Sequence, residues 1–122
     1  MILATLSMAV PPGRREETIA AFWLLLGPVR VEPGCLACGL YQEVGNEDRL
    51  LYVAEWETPE QLGRHMRSGR YGRLLTIVDA SALPPVLRYH SASAIQGLEH
   101  LEAVRLGAGA SLLPAPDQPV KE

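Results

Sequence analysis

A chain of 122 residues, 48 % apolar and 20 % charged, is sized for one domain with a real but limited core. Eleven basic against fourteen acidic residues leave a net charge of −3 with no basic cluster, which argues against a nucleic-acid partner. No stretch approaches the roughly 18 apolar residues of a membrane helix, and Met1-Ile2-Leu3-Ala4-Thr5-Leu6 lacks a cationic leader, so a cytoplasmic protein with no membrane partner is expected.

Residues 2–10 alternate, with Ile2, Ala4, Leu6, Met8 and Val10 on one face, and predict a strand stopped by Pro11-Pro12-Gly13. Arg14 to about Val31 predicts a helix. Glu16 and Glu17 suit its positive end, and Ile19, Ala20, Phe22, Trp23 and Leu26 supply an apolar side. Leu24 and Leu25 widen that side, so the helix is expected to be more buried than a surface helix. Gly27-Pro28 should kink it or end it early. Glu32-Pro33-Gly34 is a turn.

Cys35 to Val44 and Leu50 to Glu57 predict a hairpin joined through Gly45-Asn46-Glu47-Asp48. Cys35 and Cys38 open the first of these strands, whereas a redox pair normally sits at a helix N-terminus, where the dipole lowers a thiol pKa. Three residues of strand put the two side chains on opposite faces. Zinc would need two further ligands at close spacing. The pair therefore reads as ordinary buried cysteines, and no metal site is expected.

Thr58 can cap the next helix, Pro59 suits its first position, and Gln61 completes a Thr-x-x-Gln capping box. Leu62, His65, Met66 and Gly69 then recur at helical spacing, which puts His65 on the inward face. Trp56 leaves a strand just before, so the two residues make the corner of a pocket. Ser68-Gly69 interrupts the helix, and Arg70 to Ala82 continues it with Tyr71, Leu74, Leu75 and Val78. Pro84-Pro85 ends it, Val86 to about Ala94 predicts a fourth strand, and Gly97 to Leu106 has helical spacing.

The order is β-α-β-β-α-β, a ferredoxin-like α+β fold with a four-stranded antiparallel sheet over residues 1–94. A C-terminal helical extension follows over 95–106, and then a Gly-, Ala- and Pro-rich flexible tail over 107–122. The strands carry apolar residues on both sides, yet two helices can cover only one. A homodimer with sheets packed face to face is the economical solution.

With Pro12-Gly13-Arg14, Glu32-Pro33-Gly34-Cys35, Leu40-Tyr41 and Glu55-Trp56-Glu57 followed by His65, residues 1–93 resemble the antibiotic biosynthesis monooxygenase domain family. That family is a dimeric α+β barrel group with quinol monooxygenase-like and haem-degrading members. The resemblance implies a homodimer with a pocket between sheet and helices in each subunit. It also implies oxidation of a small phenolic or quinol-like aromatic by molecular oxygen, with no metal or flavin cofactor. Such chemistry needs a base for the hydroxyl proton, support for the oxyanion and exclusion of water. His65 is the candidate base, and Trp56 can stack on the ring or donate its indole N–H. Tyr41, Tyr52 and Tyr71 are candidate hydrogen-bond donors to the substrate.

The plainer readings are a core tryptophan, a satisfied structural histidine and ordinary strand tyrosines. Tyr89 and His90 point to opposite faces, and His100 is expected in solvent. Ala54 stands where family members often carry a glutamate, with Glu55 turned to the other face. The first strand lacks the Asn of the haem-degrading branch, and that branch's ligating His position falls near Leu75, so haem degradation is not expected. The rival functions are a non-catalytic ligand-binding or stress-related dimer module, and an isomerase or decarboxylase using His65.

Overall fold

The structure, a computed structural model, describes residues 1–93 and 97–107. Met1–His90 forms one compact unit and Ser91–Glu122 a second. The first unit runs β1 (Ile2–Ala9), α1 (Arg15–Arg30), β2 (Cys35–Glu43), β3 (Asn46–Trp56), α2 (Pro59–Met66), α3 (Gly69–Asp79) and β4 (Val86–Ser91), whose last residue opens the second unit. In the second unit α4 spans Leu98–Arg105, within the helical extension expected over 95–106; of the tail expected over 107–122, residues 108–122 lie outside the described residues. The sheet order β2-β3-β1-β4 and its antiparallel pairing are those of the ferredoxin-like α+β fold. Among the described residues no helix is long and apolar enough to cross a membrane.

Strand parity decides which side chains meet the helices. In β1, Ile2, Ala4, Leu6 and Met8 are buried, and in β3 Leu50, Tyr52, Ala54 and Trp56 are buried. The β1–β3 register sets Ile2 opposite Trp56 and Leu6 opposite Tyr52, so both strands turn the same parity inward. From α1, Phe22, Leu25, Leu26 and Val29 meet this face at i, i+3, i+4 and i+7. Trp23 and Leu24, expected to deepen the burial of α1, lie outside that arc instead and are 66 % and 75 % exposed.

Two further expectations are corrected. Pro28 does not end α1, which runs on to Arg30. The proline removes the bond to the carbonyl of Leu24, a residue 75 % exposed, while Val29, 1 % exposed, anchors the last turn. The hairpin is also tighter than Gly45–Asp48 suggested. β3 already pairs at Asn46 with Glu43, and Gly45, at φ +90°, turns the chain where a side chain would be strained.

Cys35 and Cys38 do not sit on opposite faces as three residues of regular strand would place them. Cys35 pairs with Trp56 and Ala37 with Glu55, so Leu36 is an extra, bulged residue. The bulge resets the parity, and both cysteines join the helix-side core. Both thiols are free. Burial first, then the neighbouring Cys38 and Glu32, pushes the Cys35 thiol up to about 11, and burial likewise raises Cys38. Neither is a ready thiolate at neutral pH.

Candidate active site

The site is assembled by three local devices. The first is the turn Glu32–Cys35, closed by the Cys35 N–H donating to the Glu32 carbonyl at 3.1 Å. Pro33 occupies its second position and Gly34, at φ +88°, its third, the residues a type II turn requires. The Gly34 carbonyl accepts the Glu57 N–H at 2.8 Å, which pins the turn to the end of β3 beside Trp56. The second device is the start of α2, where the Thr58 hydroxyl accepts the Gln61 N–H at 3.2 Å. The return arm of the capping box differs from expectation: the Thr58 hydroxyl donates to Gln61 Oε1 at 3.1 Å. The third is Ser68, whose hydroxyl accepts the Tyr71 N–H at 3.2 Å and donates to the His65 carbonyl at 2.6 Å. It joins the end of α2 to the start of α3 and so brings Tyr71 to His65.

These devices place His65 between two rings. Its imidazole stacks on Trp56, with centroids 4.6 Å apart and planes at 27°, and meets Tyr71 edge-on at 5.2 Å. His65 is 2 % exposed and Trp56 1 %. Nδ1 of His65 lies 2.9 Å and 3.1 Å from the two carboxylate oxygens of Glu32. Arg70 shares that carboxylate at 3.2 Å. A carboxylate accepts and does not donate, so the Nδ1 proton is held by Glu32 and the lone pair of a neutral imidazole falls on Nε2. Among the described residues, neither His65 Nε2 nor Trp56 Nε1 has a hydrogen-bond partner, although both are buried.

Both rings line a cavity between the sheet and helices α2 and α3, with Leu62 and Leu74 as apolar walls. Its free volume of about 10 Å³ is room for roughly one water. Leu87 and Tyr89 on the edge strand β4 close its outer side and are 42 % and 45 % exposed. Tyr52 and Tyr71, the candidate substrate donors, line the cavity. Burial and a hydrogen bond with Tyr89 push the Tyr71 phenol up to about 12. Burial, reinforced by the Cys38 thiol 3.3 Å away, raises that of Tyr52. Both remain O–H donors at neutral pH.

Tyr41 departs from its expected place. It is 59 % exposed, its ring lying over Gly39 on the outer side of β2, away from the cavity. Of Tyr89 and His90, considered only as alternatives, Tyr89 reaches the cavity beside Leu87, while His90 is exposed. His100, expected in solvent, has Nε2 covered and without a partner among the described residues. Glu32 was missed, read only as part of a turn. The signal for it was indirect: a buried histidine needs a partner, and a Pro-Gly turn before β2 must abut the end of β3. Among the described residues no group of three or more His, Cys, Asp or Glu is placed to hold a metal ion.

The family model of antibiotic biosynthesis monooxygenases matches residues 1–75. An uncharacterised protein of Synechocystis sp. is 27 % identical over 62 residues, which cover 51 % of this chain and only 42 % of that relative. Among solved structures, one of an antibiotic biosynthesis monooxygenase superposes with a TM-score of 0.69 at 19 % identity, over 77 % of this chain and all of the other. A conserved protein of Methanosarcina mazei gives 0.68 at 22 %, over 73 % and 89 % of the two chains. A Mycobacterium tuberculosis protein gives 0.70 at 16 %, over 79 % and 98 %. At these identities the structural likeness is one of fold.

Proposed function

The chain belongs to the antibiotic biosynthesis monooxygenase family, and from that premise we propose that it oxidises a small phenolic or quinol-like aromatic with molecular oxygen, as a homodimer. The observation that carries this reading is the Glu32–His65 pair, which leaves Nε2 of His65 buried and without a partner among the described residues, in a ring that lines a narrow apolar cavity beside Trp56. His65 Nε2 takes the hydroxyl proton, and Glu32 stabilises the imidazolium that forms. The phenolate gives an electron to oxygen, and the resulting pair combines at a ring carbon that bears hydrogen. His65 returns its proton to the peroxide, which loses water as that ring C–H gives up its proton. One oxygen atom ends as the quinone carbonyl and the other as water, so a simple phenol and one oxygen molecule give a quinone and one water.

Two features favour the non-catalytic binding reading in its place: the cavity is nearly closed, and Glu32 already satisfies one nitrogen of His65. Oxygen consumption with a panel of hydroquinones and anthrones separates the two. The monooxygenase reading expects uptake by the wild type, a loss of roughly 10²–10⁴-fold in His65→Ala, and a smaller loss in Trp56→Phe. No uptake with any substrate, or equal rates in all three proteins, rules it out.

A further inference from the structure

Helix α1 carries a second face that the core does not use. Phe22, Leu25, Leu26 and Val29 are buried, while Glu16, Ala20, Trp23, Gly27 and Arg30 are exposed along another side. Trp23 stands at the middle of that stripe, between two hollows. With Trp23, the hollow toward the helix start is lined by Glu16, Ile19, Ala20 and Leu24, and the one toward its end by Leu26, Gly27 and Arg30. Gly27 has no packing reason within the chain, because a Cβ built on it would meet nothing within 4 Å. Glycine weakens a helix interior relative to alanine, and open space above it suits the close approach of another helix.

The charges make this stripe complementary to its own reverse. Glu16, Trp23 and Arg30 fall at intervals of seven residues, about two turns, and so share one side. A second α1 laid antiparallel across the first at Trp23 sets each Glu16 against the partner's Arg30, and each Ile19 against the open space over the partner's Gly27. Both ends are available for this. Glu16 has no ion-pair partner among the described residues. Arg30 donates Nε–H to the Cys38 carbonyl at 2.9 Å, which leaves its terminal nitrogens for a carboxylate. A parallel alignment would instead set acid on acid and base on base.

We infer that this stripe of α1 is an interface with a second copy of the chain, packed antiparallel about a two-fold axis at Trp23. It is separate from the sheet-face contact of the proposed homodimer, because α1 covers the other side of the sheet, and it depends on no ligand or reaction. Two indoles meeting at the axis bury their faces against each other and in the flanking hollows. A single helix pair buries less than the roughly 1,200 Å² at the lower end of stable interfaces. The contact therefore joins chains at higher concentration than the sheet face does.

The test is sedimentation of the full chain over a series from about 10 μM to about 1 mM, comparing wild type, Glu16→Arg, Arg30→Glu and an equimolar mixture of those two variants. Either variant alone sets like charges against each other at both ends of the contact, whereas the mixture restores one Arg–Glu pair at each end. Wild type is expected to double its low-concentration mass within the series, and each variant alone to do so only at a concentration at least about tenfold higher. The mixture is expected to return to the wild-type position, which no partner other than the chain's own reverse would produce. Trp23→Ala, at an exposed position, should abolish the doubling and leave the low-concentration mass unchanged. That unchanged mass is also the check that each variant is folded. A wild type that never doubles, single variants that associate as the wild type does, a mixture of folded components that associates no better than either, or a Trp23→Ala chain that still doubles would each overturn the inference.

Discussion

Thirty-three residues separate Glu32 from His65, yet their contact decides what the histidine can do. Deleting the carboxylate leaves a buried N–H without an acceptor, which typically costs about 1–3 kcal/mol. Glu32→Ala should therefore lower unfolding stability by that amount in a urea titration, and Glu32→Gln, which keeps an acceptor oxygen, by less. If Glu32→Ala is as stable as the wild type, the contact is not made in solution. Trp56 and His65 were legible in the sequence because strand parity and helical spacing are local rules. Glu32 was not, because the strand pairing that delivers it is nonlocal, and nothing within the turn itself distinguishes an orienting acid from a solvated one. Cys35 supplies a pH test at the same scale. Its thiol is held up to about 11 from a usual value near 9, chiefly by burial. The folded chain thus keeps its proton where the unfolded chain has lost it, and the stability this contributes below about pH 9 declines as pH rises toward 11. Alkylation by iodoacetamide at pH 8 should be far slower in the native protein than in urea, and should accelerate only as pH approaches that upper value. Comparable rates at pH 8 would show Cys35 to be an ordinary exposed thiol.

At the scale of elements, capping and turn residues hold the site together, and their signals were mostly local. Thr58 and Ser68 each accept the N–H three residues on, and removal of such a cap costs about 1 kcal/mol. Thr58→Ala and Ser68→Ala should each lower stability by that much. Of the two, Ser68→Ala should disturb the signals of Tyr71 and His65 more, because its hydroxyl also ties the two helices. Gly34→Ala is the sharper case. Its φ of +88° alone implies a penalty of about 1–3 kcal/mol, and the new Cβ would fall against the Gln61 side chain, including its Cβ. The turn must shift, so Gly34→Ala should also release Glu32 from His65, visible as a changed His65 nitrogen spectrum; an unchanged spectrum and stability would mean that the turn does not position the acid. What local reading mistook at this scale was parity and helix termination. A single bulged residue at Leu36 moves Cys35 to the inner face, and bulges leave no mark in a run such as Cys-Leu-Ala-Cys. Pro28 was read by its usual effect, whereas α1 runs on past it to Arg30, held by the buried Val29 and with the unbonded carbonyl on the exposed residue Leu24.

For the whole molecule the unresolved demand is the outer face of the sheet. Leu36 on β2 is 55 % exposed, Tyr41 59 % and Leu51 on β3 39 %, and on the edge strand Val86, opposite in parity to the cavity-lining Leu87 and Tyr89, is 42 % exposed. Apolar side chains in such density across neighbouring strands suit a protein interface better than water. The sequence carried this much, since apolar residues of both parities in one strand imply two buried faces. A second copy of the chain is the partner proposed, because a sheet face can pack on its own image about a two-fold axis and bury the roughly 1,200–2,000 Å² of a stable interface. Analytical ultracentrifugation at micromolar concentration should then show a dimer. Leu51→Glu, at the middle of that face and on the side of β3 opposite Tyr52 and Ala54, should weaken dimerisation by at least about tenfold, or ~1.4 kcal/mol. It should do so with the Trp56 and His65 signals of the helix-side core preserved, since successive residues of a strand point to opposite faces. A wild type that sediments as a monomer, or a Leu51→Glu variant that dimerises unchanged, would leave the outer face without the partner that its composition demands.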